Sequence, residues 1–438
     1  MEILVKSISS HVQALSKIGN LGPKLEDGFT RPSWSDEETA AMDYIKDVAI
    51  QNGFKASTDA IGNLFLSFGC DENKEVVQIG SHLDTVVKGG LFDGGAGIIA
   101  GMEALIAVSK TVTNPKKGLE LVIWRGEESG TFGVVFKGSK AAFGLLPASA
   151  LESKFGDLTL REAIKSQGFD PSPIEKGERT ISQDKLNKVA AHFELHIEQA
   201  TKLEIDGDDI GVVTSIRGPN NYRISVRGEA SHAGATPMGI EYRKDANLAM
   251  AYMHVELDKM SKEAISKGAD LVQTVGVINS DKTYNQSHLD IYNTGLTTIC
   301  AYSYFYLNVR SNDKEFLASY SEKALELINK IAEDFRVKVE IEKVSSSDPL
   351  KEMDPHLQNI TEKAAKDLGY KVQRLPSGAG HDVQIVAQQK KSDGTSIPSL
   401  LVFIPCKDGL SHNPKEFTTN ESITKGANVL MKAVMELV

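Results

Sequence analysis

The sequence predicts an α/β domain with a mostly parallel sheet, interrupted by an inserted α+β domain of ferredoxin-like pattern. Three observations carry this. Apolar runs and helical periodicities alternate through the first half of the chain, the order changes after Gly211 to strand, helix, strand, strand, helix, strand, and from about residue 350 it returns to helix, strand, helix. Residues 36–53 (DEETAAMDYIKDVAIQNG) carry apolar side chains at helical spacing and stop at Gly53. Residues 75–80 (EVVQIG) form a short β-branched apolar run that suits a buried strand, and 96–110 read as a helix opened by glycines. A second buried strand follows at 118–124 (GLELVIW), and such strand–helix alternation puts ligand sites at the C-terminal ends of the strands. In the second region, 222–228 (YRISVRG) alternate, 243–263 are helical, 270–279 and 300–310 are strands, 314–334 are helical and 336–344 (RVKVEIEKV) alternate again. That succession is the split βαβ pattern. The expected boundaries are 1–213 and 348–438 for the main domain and 214–347 for the insert.

A chain of 438 residues suits two or three domains. With 41% hydrophobic and 25% charged residues it has a globular composition, which excludes disordered, collagen-like and membrane-spanning classes. The longest apolar stretches, such as Leu400–Pro405, fall far short of the roughly 20 residues a bilayer crossing needs. A net charge of -10 argues against nucleic acid as a partner, because phosphate binding needs a basic face. Cys70, Cys300 and Cys406 are odd in number and widely spaced, so they build neither a disulfide framework nor a metal knuckle. With no signal-like N-terminal segment, the expectation is a cytoplasmic protein.

The chemistry-bearing residues lie in four places. In Gly80-Ser-His-Leu-Asp-Thr-Val-Val-Lys-Gly-Gly-Leu-Phe-Asp-Gly-Gly95, His82 and Asp84 alternate at a strand end, so Asp84 can orient the imidazole of His82. Asp93 sits in a glycine-rich loop before a helix; a capped strand histidine and a turn carboxylate describe the run equally well. Glu127 and Glu128 follow an apolar strand, where their repulsion raises one pKa unless a cation intervenes. One of them can bind a metal while the other stays free as a base, and a solvated acidic turn is the plainer alternative. His196 lies in Phe193-Glu-Leu-His-Ile-Glu-Gln199 and fits a core histidine as well as a ligand, while His412 in Gly409-Leu-Ser-His-Asn-Pro414 fits a surface loop. Taken together, His82, Asp93, Glu128, His196 and His412 are an inventory for two divalent cations bridged by one carboxylate. Spacing alone does not prove that they converge.

In this order, GSHLDTVVKGGLFDG, the Glu-Glu pair, HFELHIEQ, SHAGATPM, SGAGHD and GLSHNPKE resemble the M20 metallopeptidase-like amidohydrolases. Within them the chain is similar to the branch of N-carbamoyl-L-amino-acid hydrolases, β-ureidopropionases and allantoate amidohydrolases, from about residue 60 to the C-terminus. The resemblance implies a catalytic domain, an inserted dimerisation domain, a homodimer, and two divalent metal ions per subunit, zinc or manganese, with cobalt and nickel also fitting. It implies one metal on His82 and His196, the other on Glu128 and His412, and Asp93 bridging. Glu127 becomes general base and then acid for a metal-bridging water, with Asp84 behind His82. His232 corresponds to the histidine that relatives send into the neighbouring subunit's active site. Gln199, Asn293, Arg310 and His381 fall at substrate-contacting positions, and the fork of Arg310 suits a carboxylated ureido or amide substrate.

The chain departs from the family pattern at Ala200, at Thr131 where an arginine is usual, at Asn308 where an aspartate is usual, and in longer stretches after Met238 and Asn293. None touches a metal-ligand position or Glu127, so substrate choice rather than catalysis is put in question. Cleavage of a ureido C–N bond is the first expectation. An aminoacylase or dipeptidase of the same fold, and a catalytically silent ligand-binding protein, are the rivals.

Overall fold

The computed structural model describes residues 2–71, 73–112, 115–278 and 297–438. Short helices and the two-residue strands Lys154–Phe155 and Leu158–Thr159 aside, the first elements in chain order are α1 (Val5–Leu15), α2 (Asp36–Gln51), β1 (Lys55–Thr58), β2 (Leu64–Phe68), β3 (Val76–His82), α3 (Gly95–Thr111), β4 (Gly118–Trp124), β5 (Val189–Ile197) and β6 (Ile210–Ile216). There follow β7 (Gly218–Arg227), α4 (Ala246–Ser266), β8 (Val272–Ile278), β9 (Tyr302–Ser311), α5 (Lys314–Asp334) and β10 (Lys338–Ser346). The chain finishes with α6 (Pro355–Asp367), β11 (Val372–Ser377), α7 (Asp382–Ala387), β12 (Ser399–Ile404) and α8 (Asn420–Met435). It divides into two compact units, Met1–Thr214 with Glu352–Val438, and Ser215–Lys351.

The larger unit is built on an eight-stranded sheet in the order β1-β2-β4-β3-β5-β12-β6-β11. Its four central strands, β4, β3, β5 and β12, are parallel, whereas β1, β2 and β6 pair antiparallel, so the sheet is mixed towards its edges. The central strands are apolar runs buried on both faces, as parallel strands under helices must be: every residue of β3, β4 and β12 is buried. Helix α3 is buried along almost its whole length and packs on β3, β4 and β5. Helix α2 starts where Ser35 caps it by accepting from the Glu38 N–H at 3.1 Å, with Asp36, Glu37 and Glu38 in its first turn favoured by the helix dipole.

The smaller unit has an antiparallel four-stranded sheet in the order β8-β9-β7-β10. Its chain order β7-α4-β8-β9-α5-β10 is the split βαβ succession read from the sequence. One side of each strand, including Ile224, Val226, Phe305, Leu307 and Val309, packs with Met253, Leu257, Leu317 and Ile328 of the helices in a single core. Side chains alternate across strands, so the opposite face carries Arg223 over Tyr304 at 5.3 Å and Arg227 over Tyr302 at 5.1 Å.

Candidate metal centre

The parallel strands deliver the functional side chains to one edge of the sheet. His82 is the last residue of β3 and pairs in register with Trp124 of β4, three residues before Glu127. His196 of β5 pairs with Phe403 of β12, the strand that leads into the loop of His412. Asp93 lies between β3 and the start of α3.

In this arrangement His82 Nε2 is 3.3 Å and His196 Nε2 is 3.0 Å from Asp93 Oδ1. On the other side, His412 Nε2 is 3.6 Å from Asp93 Oδ2 and 3.2 Å from Glu128 Oε1. Two groups of three possible donors result, His82–Asp93–His196 and Asp93–Glu128–His412, with Asp93 common to both. Asp93, His82, His196 and Glu128 are buried, while His412 is exposed on a left-handed backbone with φ 54°.

The chemistry of this donor set fits metal ions. His196 Nδ1 is 2.9 Å from the Ile197 carbonyl oxygen, and His82 Nδ1 is 3.1 Å from the carbonyl oxygen of Asp84. Each Nδ1–H therefore donates away from the centre and leaves an Nε2 lone pair aimed at Asp93. The Gly94 N–H donates to His196 Nε2 at 3.2 Å, which agrees with that tautomer. A lone pair this close to a carboxylate oxygen is repelled unless a proton or a metal ion lies between them, so each Nε2 is a site for one or the other.

The charges show the same need. Burial alone would raise Asp93, but His196 and His82 hold its carboxyl well below the usual range. Burial opposes protonation of His82, yet Glu127, Asp84 and Asp93 together hold it well above its ordinary value. Burial pushes Glu127 well above the carboxylate range; Glu128, Asp382 and Asp93 add to this, and His82 opposes it. The hydrogen bond to Glu128 carries His412 up to about 9, despite partial burial. Among the described residues the one ion-pair contact of Glu127 is His82 Nε2, at 4.0 Å, so its carboxylate stands beside the donor groups rather than in them.

Asp84 wires the two halves together. It is fully buried, lies 3.3 Å from His82 Nδ1, and accepts from the backbone N–H groups of Glu127 at 3.0 Å and Glu128 at 3.1 Å and from the Ser33 hydroxyl at 2.8 Å. The Glu127–Glu128 turn is braced further by Lys137, whose buried ammonium donates to the carbonyls of Glu128 at 2.6 Å and Val134 at 2.8 Å.

The positions expected at the substrate are arranged differently. The Gln199 amide donates to Asp93 Oδ2 at 2.7 Å and to the Ser411 hydroxyl at 3.0 Å, so its N–H groups are committed to the centre itself. His381 is buried edge-on to His196, ring centroids 4.5 Å apart, with Nε2 at 3.2 Å from Ser377 Oγ. Burial first, then His196, drives His381 well below its ordinary pKa and keeps it neutral. In the smaller unit Arg310 donates from Nε to Asn308 Oδ1 at 3.0 Å, and Asn308 donates in turn to Asn221. His232 is exposed, and its Nδ1 accepts from the N–H groups of Gly234 and Ala235, at 3.1 and 3.0 Å, which puts the ring proton on Nε2. Asn293 lies outside the described residues. Ser411, Glu416, Ser33 and Lys137 were not singled out by the sequence. For Ser411 and Glu416 the only signal was membership of the GLSHNPKE block.

Comparison with known proteins adds three findings. The model of peptidase family M20/M25/M40 matches residues 79–436. The N-carbamoyl-L-amino acid amidohydrolase of Geobacillus stearothermophilus is 33% identical over 433 residues, with 97% of each chain covered, and the allantoate amidohydrolase of Escherichia coli is 30% identical over 433 residues, again with 97% of each covered. The crystal structure of an amidase of the hydantoinase/carbamoylase family from Burkholderia multivorans superimposes with a TM-score of 0.84 at 28% identity, covering 99% of this chain and 98% of that one.

Proposed function

The chain belongs to peptidase family M20/M25/M40, and from that premise we propose that it is a metal-dependent amidohydrolase cleaving the ureido C–N bond of an N-carbamoyl-L-amino acid or a related ureido acid such as allantoate. The observation that carries the reading is the sharing of Asp93 between two three-donor groups, with Glu127 beside them and outside both. His82 and His196 would hold one divalent ion and Glu128 and His412 the other, with Asp93 in common. Bound there, the ions would supply Lewis-acid charge that polarises the scissile carbonyl and acidifies a water.

The remaining work falls to side chains of this chain. Glu127, raised by burial and by its acidic neighbours, takes the proton of the attacking water and passes it to the leaving nitrogen as the C–N bond breaks. Asp84 holds the backbone of Glu127 and the ring of His82 in one hydrogen-bonded unit. His232, with its proton on Nε2, is a ready donor to the oxyanion of a neighbouring subunit in a homodimer assembled through the inserted unit. Arg310 offers a fork to the substrate carboxylate, steadied by Asn308. Gln199 and His381 act through Asp93 and His196. We place the enzyme in the cytoplasm, in keeping with three unpaired cysteines.

The test is ammonia release by zinc- or manganese-loaded protein, with Glu127→Gln as control and amine release followed in parallel. The panel holds N-carbamoyl-L-amino acids, N-carbamoyl-β-alanine, allantoate, N-acetyl-amino acids and dipeptides. Ammonia from a ureido substrate, lost in a Glu127→Gln variant that still binds metal, is the expected result. Free amino acid without ammonia from the acyl or peptide substrates would make the protein an aminoacylase or dipeptidase. A purified protein that takes up no metal would return it to ligand binding.

A further inference from the structure

Both donor groups depend on the direction in which Asp93 leaves its loop, and that loop is held from a distance. Glu416, 3% exposed, turns Oε1 to the backbone N–H groups of Phe92 at 2.9 Å and Asp93 at 2.8 Å. The next residue, Phe417, meets the ring of Phe92 edge-on at 5.7 Å and 87°, so backbone and side chain of the Phe92–Asp93 segment are gripped by the same two residues. Room for this contact exists because residue 90 is glycine: a Cβ there would stand 2.2 Å from Glu416 Oε1. Among the described residues the second oxygen, Oε2, is buried and has no hydrogen-bond partner. Burying a carboxylate with half its acceptor capacity unused is costly, and both bonds that it does make go to the Phe92–Asp93 backbone.

We propose that Glu416 is a positioning residue for Asp93: by fixing the Phe92–Asp93 backbone it keeps Asp93 Oδ1 facing His82 and His196 while Oδ2 faces His412. The carboxamide of Gln199 and the hydroxyl of Ser411 complete the hold from the side-chain end, since both donate to Asp93 Oδ2. Ser411 and Glu416 flank His412 on one loop, so that loop places its own imidazole and aims the carboxylate facing it. The inference rests on the metal-centre reading given above.

The experiment compares the full chain with Glu416→Ala, Glu416→Gln and Gly90→Ala. Zinc stoichiometry and affinity are measured by competition with a chromophoric chelator, kcat and KM on the ureido substrate found active, and unfolding of the metal-stripped proteins in denaturant. Glu416→Gln should stay within about threefold of wild type in zinc affinity, because a carbonyl accepts both N–H groups and Oε2 has no bond to lose; Glu416→Ala and Gly90→Ala should lose about 10–100-fold, the usual cost of removing a partner behind a metal ligand. Their kcat should fall while KM holds within about threefold, the mark of a disturbed centre rather than disturbed substrate binding. Loss of metal-free stability with zinc affinity and kcat unchanged would overturn the proposal, and so would a glutamine variant as impaired as the alanine one. Should Glu416→Ala not fold, Gly90→Ala against Glu416→Gln decides the same question. A wild type that takes up no zinc overturns the metal-centre reading and this inference together. Zinc binding shared equally by wild type and Glu416→Ala overturns the inference alone.

Discussion

Replacing Asp84 separates orientation of the centre from its ligands. The carboxylate is fully buried and receives two backbone N–H groups, of Glu127 and Glu128, and the hydroxyl of Ser33. In Asp84→Ala the hydroxyl keeps a partner, since Thr131 Oγ1 lies 2.8 Å from Ser33 Oγ, but the two N–H groups are left buried and unpaired. At about 1–3 kcal/mol for each stranded donor, the loss is about 2–6 kcal/mol. Asp84→Asn keeps one oxygen and turns an NH₂ group towards the other N–H, so one donor is stranded and the loss is about 1–3 kcal/mol. The ring of His82 retains the Asp84 carbonyl oxygen at 3.1 Å in both variants, which limits the weakening of metal binding to the lower part of the usual range, about tenfold. Urea unfolding of metal-stripped protein measures the first quantity and chelator competition the second. An asparagine variant within about 0.5 kcal/mol of wild type, with zinc affinity within about twofold, would refute the reasoning.

Three further outcomes follow from the same structure. Burial pushes His192 down to about 3, so between about pH 6.5 and 3 the unfolded chain binds a proton that the native state refuses, and this residue's contribution to stability falls as the pH drops, by ~1.6 kcal/mol between pH 6.5 and 5; urea unfolding at the two pH values should show wild type losing that much more than His192→Leu. A Cβ at Gly97 would stand 2.0 Å from the Leu195 carbonyl oxygen, so Gly97→Ala should force α3 from β5, cost about 1–3 kcal/mol in denaturant unfolding and weaken metal retention; unchanged unfolding would count against so tight a contact. If His232 works across a dimer, mixing inactive His232→Ala with inactive Glu127→Gln leaves one intact site in each mixed dimer, and activity should return to about a quarter of wild type on random exchange. No return after subunit exchange is verified by mass would remove that role.

The strands read most plainly from the sequence were those buried on both faces. Residues 118–124 are apolar or shielded throughout, and strand β4 has those same limits. In the smaller unit, alternation at 336–344 and helical periodicity at 314–334 sufficed, because one face of each element packs into a single core. Strands β1 and β2 were not foreseen: every residue of Lys55–Thr58 is exposed, so no apolar pattern marks β1 and pairing with β2 defines it, whereas β2 is a short apolar run with its first three residues buried. The antiparallel edges escaped for a different reason: strand direction is written in connections rather than in composition. At the centre, residue types were legible and their convergence was not. Glu416 reads in sequence as a charge in a turn; its meaning lies in backbone groups 323 and 324 positions away. Gln199 looked like a substrate contact, but its left-handed backbone, φ 57°, and its bond to Asp93 become visible only in three dimensions.

The strand that arrives last in the chain does not lie at the rim of its sheet. Ser399–Ile404 sits between β5 and β6, so until roughly nine-tenths of the chain has been made, both of those strands have an unpaired edge where it will insert. Parallel pairing between segments some two hundred residues apart is slow to form, because loop closure precedes the contacts that reward it. The proposed metal centre is therefore expected to be a late product of folding. A ribosome-bound or C-terminally clipped chain would carry His82, Asp93, Glu128 and His196 without the strand that brings His412, and would present open strand edges to chaperones and to its own copies.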